Sequence, residues 1–320
     1  VWITNKTGTT NETRNIVAFL DLGETAGNIY NTNFTVANGG NFPDNNAANN
    51  MFATIKSNFP NGLSITDITN TTLSPLSNGK DFEKLERARK LSESEFVFNS
   101  QLGYISLNQA LNNDEVLAIA FEYTIGSQTY QVGELSSTGP TSPDALILKL
   151  LKGTNFTPSL PNWDLMMKNI YAIGAYQMSR DGFILDVVYE NTEESGALTN
   201  YLTEENEENI NGKPIIKLLN LDRLNQQMDI QSDGVFDFIE GITAKSANGR
   251  IIFPVREPFG NYLANQFANS TIAEKYSYQI LYDSTLTVAQ QFPEKNKFRL
   301  KGTYESSSGA EIRLNAMNIP

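Results

Sequence analysis

The run EVLAIAFEYTIGSQTYQVGEL, from Glu115 to Leu135, limits the possible folds more than any other stretch of the chain. Apolar and polar residues alternate on both sides of Gly126-Ser127, and a period of two places successive side chains on opposite faces of a strand. A two-residue link containing Gly turns such a strand back on itself, so this region predicts an antiparallel hairpin. EFVFNSQLGYISLN, beginning at Glu95, repeats the pattern. NIVAFLDLG and FILDVVYE read as further strands, and RIIFPV as a strand whose Pro254 belongs at an edge or an end. KFRLKGTYESSSGAEIRLNAM reads as a hairpin around Ser-Ser-Ser-Gly.

Helical signals lie between these strands. In DFEKLERARKL, from Asp81 to Leu91, Phe82, Leu85 and Leu91 share a side, while Glu83–Arg87 and Glu86–Lys90 stand at i,i+4 with the acid first. Ser142 as N-cap, Pro143 at the first position and Gly153 after DALILKLLK predict a second helix. LPNWDLMMKNIYAIG, NYLANQF and TIAEKYSYQILY also read as helical. TEENEENING reads as a solvated acidic turn. The expected class is α+β, mostly antiparallel β with several helices and a loop-rich N-terminal third. The Ser/Thr/Gly/Pro stretch SSTGPTSP marks a boundary. It separates a β-rich subdomain, residues 1–139, with one amphipathic helix, from an α+β subdomain, residues 140–320. No βαβ alternation and no glycine-rich phosphate loop are present.

Composition removes whole classes of chemistry. The 320 residues include no Cys and no His. Thiolate nucleophiles, disulfides, most transition-metal sites and the usual general base near neutral pH are therefore absent. Carboxylate pairs, Lys, Tyr and hard-cation chemistry remain. A net charge of −12 argues against binding nucleic acid or an anionic membrane by charge. No apolar run reaches the roughly 18 residues of a membrane-spanning helix. The opening VWITNKTG lacks the basic start and apolar stretch of a signal peptide. The expectation is a soluble, monomeric piece of a longer protein.

One segment has the spacing of a metal loop. Against the calcium template D-x-[DN]-x-[DN]-G-x5-E, Asp229 takes the first position, Gln231 the third, Asp233 the fifth and Gly234 the sixth. The Val235 carbonyl, Asp237 and Glu240 follow at the seventh, ninth and twelfth. A hard cation needs six to eight converging oxygens, and Gly permits the reversal that lets them converge. Gln at the third position lacks a charge, which predicts weak, structural Ca²⁺ binding. The other reading is a Ser-Asp-Gly turn between two apolar runs, with its acids exposed. LDRLNQQ could supply a leading helix, but EGITAKSANGR does not supply a following one.

Six long stretches, in order, resemble a known family. They are KTGTTNETRNIVAFLDLGE, NNDEVLAIAFEYTIGSQTYQVGE, NWDLMMKNIYAIGAYQMSRDGF, GKPIIKLLNLDRLNQQMDIQSDGVFDFIEGI, GRIIFPVREPFG and LYDSTLTVAQQFPEKNKFRLKGTYESSSGAEIRLNAMNIP. Together they are similar to the SprA (Sov) family, giant outer-membrane translocons of the type IX secretion system, from near Lys6 to Pro320. The resemblance implies a fragment of a large β-barrel protein that exports folded proteins and supports gliding motility, with no enzymatic activity. Its implied partners are the rest of the barrel, accessory outer-membrane proteins and secreted cargo. In that family the segment matching Leu221–Gly241 appears as a signature. Outer-membrane barrels carry long extracellular loops and short periplasmic turns, so an extracellular cap or docking domain is expected ahead of a periplasmic one.

A second class is a secreted adhesin or carbohydrate-binding module, with stacking faces drawn from WITN, NWDLMM and YSYQILY. An enzyme ranks last. Asp181 with Glu190, or Asp186 with Asp237, would be its carboxylate pair, and nothing in the sequence brings either pair together.

Overall fold

The computed structural model describes residues 1–320 except 9, 11, 37–42, 70–71, 156, 192–195, 306–310 and 319–320, and describes residues 311–318 by backbone alone. The class is α+β with antiparallel sheets, as the alternation predicts. The chain divides into two compact units, Val1–Met166 and Met167–Pro320. The division falls after the boundary read at residues 139 and 140, because the segment following SSTGPTSP belongs to the first unit's sheet.

That sheet is a closed five-stranded barrel. It uses β1 (Trp2–Ile3), β2 (Thr13–Phe19), β3 (Phe82–Lys90), β6 (Leu117–Ile119) and β9 (Leu146–Lys152), in the order β1-β3-β2-β9-β6. All its pairings are antiparallel except β2 with β9. One buried cluster draws side chains from all five strands: Trp2, Ile16, Ala18, Ala88, Ala118, Leu146, Leu148 and Leu150. It is the barrel interior, and the three alanines suit so narrow a space. The alternate residues Val17, Phe19 and Ile147 face a second cluster, with Phe82 and with Met51 and Ile55 of α1 (Met51–Asn58).

Two expected helices are strands here. Asp81–Leu91 forms β3, where a bulge opposite Arg14–Ile16 sets two residues of β3, Glu86 and Arg87, against Asn15 of β2. Arg87 sits there at φ 52°. The extra residue shifts the phase, so Leu85 and Ala88 share a face although they are three apart. That spacing imitates a helix. DALILKLLK forms β9, buried on both faces, so its apolar run is continuous rather than alternating. Periodicity cannot separate such a strand from a helix.

Two hairpins complete the first unit. β4 (Phe96–Asn99) pairs with β5 (Tyr104–Leu107), and β7 (Phe121–Ile125) pairs with β8 (Gln128–Val132) through Gly126-Ser127. Phe121, Tyr123 and Tyr130 stack along the second hairpin. Buried carboxylates tie down the loops. Asp21 accepts from the amides of Tyr30 and Asn31, and Glu83 from the amide and hydroxyl of Thr154.

In the second unit β10 (Ile170–Ala172), β13 (Ala244–Lys245) and β14 (Arg250–Ile252) form a small sheet ordered β10-β14-β13, with Pro254 beyond the end of β14. LPNWDLMMKNIYAIG is not one helix: Pro161–Leu165 is a 3₁₀ turn in the first unit, and Ile170–Ala172 is β10. A four-stranded antiparallel sheet runs β12-β11-β15-β16, from β11 (Ile184–Asn191), β12 (Ala197–Thr199), β15 (Phe298–Glu305) and β16 (Glu311–Asn318). The pairing of β15 with β16 is the expected hairpin, and its Ser-Ser-Ser-Gly turn lies outside the described residues. Short helices α2 (Ile215–Leu218), α3 (Asn261–Ala264), α4 (Ser270–Tyr276) and α5 (Leu286–Ala289) complete the unit.

Its core is aromatic. Phe298 stands 4.6 Å from Phe259 and 5.3 Å from Tyr189, ring centre to ring centre. TEENEENING is a turn with most of its residues exposed, but two of its acids are engaged by donors elsewhere in the unit. Glu207 is fully buried and receives the amides of Ala268 and Asn269, both at 2.8 Å. Glu204 accepts from the Lys275 ammonium at 2.7 Å and the Tyr276 hydroxyl at 2.5 Å. These donors hold the Glu204 carboxyl below the usual glutamate range. Its contribution is therefore present above the unfolded glutamate pKa and is lost as pH falls through the depressed folded value. Acid titration of Glu204→Gln should accordingly show a shallower loss of stability than the parent.

Candidate functional site

The segment singled out by its calcium-like spacing is an irregular loop whose two ends meet. The Asp237 amide donates to the Leu221 carbonyl at 2.8 Å. Leu221 is fully buried and Phe236 nearly so, with the Phe236 ring 5.5 Å and the Phe238 ring 5.0 Å from Phe183. The chain between these anchors contains neither strand nor helix. A compact surface loop with joined ends is an Ω-loop.

Its own side chains hold it. Asp222, 2% exposed, receives the amides of Asp233 at 3.0 Å and Gly234 at 3.1 Å. Asp237 receives the amides of Arg223 at 2.6 Å and Leu224 at 3.1 Å, closing the stem from the other strand of the loop. The Asn225 side-chain oxygen accepts from the Gln227 and Asp229 amides, both at 2.9 Å, an Asx turn that shapes the tip. Gly234 makes the reversal at φ +85°, where a side chain would be strained. Burial pushes the Asp222 carboxyl up, the charges of Asp233 and Asp237 add to that, and the two amides act against it.

The structure does not gather the six expected calcium ligands. Asp229 and Gln231 are exposed on the tip. Asp233 folds back to accept from the Val235 amide at 3.1 Å, Asp237 caps the stem, and Glu240 accepts from the Ser246 amide at 3.1 Å. Val235 is exposed. Among the described residues no group of three or more acidic side chains is placed to hold a metal ion. Of the residues that organise the loop, Asp237 belongs to the calcium template, whereas Asp222 and Asn225 fall outside it. A clue was available in the sequence: Asp222 interrupts the apolar run KLLNLDRL, where a carboxylate must find donors. Asp222, Asp233, Asp237 and Glu240 each already accept an amide, so the protein should melt at the same temperature in millimolar Ca²⁺ and in chelator. A calcium-dependent rise removed by Glu240→Ala would support the metal reading.

The other imagined sites dissolve into structure. Glu190 pairs with Arg299, and Asp237 belongs to the loop stem. Trp2, Trp163, Tyr276, Tyr278 and Tyr282, the rings offered for stacking on sugars, are all buried. Among the large apolar side chains that the second unit exposes, which include Tyr176 and Leu286, Ile230 at the loop tip stands out at 86%, and Met228 and Val235 are nearly half exposed. The chain matches no family model and no curated protein. Among the described residues no helix is long and apolar enough to cross a membrane.

Proposed function

We propose that this chain is a non-enzymatic cap or docking domain of an outer-membrane protein-translocation barrel of the type IX secretion system, serving protein secretion and gliding motility. The observation that carries this reading is the ordered resemblance of six stretches, from Lys6 to Pro320, to the SprA family. One of those stretches, GKPIIKLLNLDRLNQQMDIQSDGVFDFIEGI, contains the whole Ω-loop with α2 before it. Long insertions in an outer-membrane barrel lie outside the cell, so the domain sits on the extracellular face. The adhesin reading draws no support from its aromatics, because those rings form the core.

Antibodies against this chain test the proposal. Immunoprecipitation from detergent-extracted outer membranes should yield one polypeptide much longer than 320 residues, together with accessory outer-membrane proteins, and the same antibodies should label intact cells. Recovery of a free secreted protein of this size that binds a glycan array would contradict it.

A further inference from the structure

We infer that the Ω-loop tip formed by Met228, Ile230 and Val235 is a docking surface for a protein offering an aliphatic pocket rimmed by Lys or Arg side chains. Single exposed apolar residues are ordinary on a protein surface. Here three lie within eight residues, one of them 86% exposed, on a loop held in shape by its own carboxylates. Preorganisation matters because a tip already fixed loses little conformational freedom on binding. Long irregular loops of this kind in compact domains are disproportionately functional.

The chemistry of the loop selects the occupant. Strand addition needs free backbone donors, but the amides of Arg223, Leu224, Gln227, Met228, Asp229, Gln231, Asp233, Gly234 and Val235 already donate within the loop. Recognition therefore runs through side chains. From Met228 to Glu240 the sequence holds four carboxylates and no Lys or Arg, and the Arg180 guanidinium, which donates to the Met228 sulfur at 3.8 Å, offsets only part of that charge. Asp229 and Asp233 are exposed beside the apolar residues. An anionic lipid surface is repelled by that charge, whereas a basic rim is attracted and oriented by it. The inference does not depend on the translocon reading, since it rests on the loop alone.

The test places a photoreactive p-benzoylphenylalanine at position 230 of the full-length protein in its own cells, with position 286 as a second exposed apolar position for control, Leu286 being 60% exposed. Both residues are exposed, so the variants should melt with the parent. The expected result is a discrete adduct from position 230 alone, with the crosslinked residue of the partner lying among aliphatic and Lys or Arg residues. Asp229→Asn combined with Asp233→Asn should lower its yield about tenfold, since opposing charges govern encounter. Asn retains the oxygen that caps Val235, so the loop itself survives. No adduct, an adduct with lipid or a second copy of this chain, a crosslinked site without basic residues, or a yield indifferent to the two substitutions would each overturn the inference.

Discussion

Phe298→Ala should lower the stability of the second unit by about 4 kcal/mol, the usual cost of removing a buried Phe side chain. That is a drop of roughly 10 °C for a domain of this size. Phe298 is 2% exposed and packs on Phe259, Tyr189 and Tyr278, so the neighbours surround the cavity on several sides and cannot close it. The two units make the result specific. Both tryptophans, Trp2 and Trp163, lie in Val1–Met166, and the second unit has none. Tryptophan fluorescence should therefore melt at the parent temperature while tyrosine near-ultraviolet circular dichroism melts early. Equal displacement of both signals would mean that the chain unfolds as one body.

Glu207→Ala should cost about 3 kcal/mol, a large effect for one acid in a chain rich in them. The side chain is fully buried, and each of its oxygens receives an amide just ahead of α4. Hydrogen bonds to a charged group contribute about 1.5–3 kcal/mol each, and donors left without a partner add to the loss. Glu207→Gln should recover only part of it, because an amide NH₂ would replace one accepting oxygen. Glu205→Ala, in the same acidic run but exposed, should be within about 0.5 kcal/mol of the parent. Urea unfolding of the three variants measures the differences, and equal costs at 205 and 207 would contradict the assignment.

Much of the fold was legible wherever one face of a strand meets water. The Gly126-Ser127 hairpin, β11 and the β15–β16 pair alternate, and the structure contains each of them. Legibility failed where both faces are covered or the phase breaks. β9 is a buried parallel neighbour of β2 and reads as a helix, and the β3 bulge turns a period of two into a period of three. Local helix propensity in Asp81–Leu91 gives way to pairing on both sides within a barrel. The acidic stretches failed for a different reason. Charge patterns say that carboxylates are present but not which donors they meet, and in Glu207 and Asp222 those donors are amides elsewhere along the chain. The loop at 221–237 is legible through its acids, but of the residues that organise it only Asp237 belongs to the calcium spacing, and Asp222 and Asn225 stand outside it.

The carboxylates of Asp222 and Asp237 shape the loop by binding its own amides. Hydrogen exchange at Arg223, Leu224, Asp233 and Gly234, measured in chelator, reads out those bonds. The structure predicts slowed exchange at all four amides without any metal, loss of protection at Asp233 and Gly234 in Asp222→Ala, and loss at Arg223 and Leu224 in Asp237→Ala. Free exchange at these amides in chelator, with protection appearing only when Ca²⁺ is added, would mean that a metal ion and not the carboxylates orders the loop.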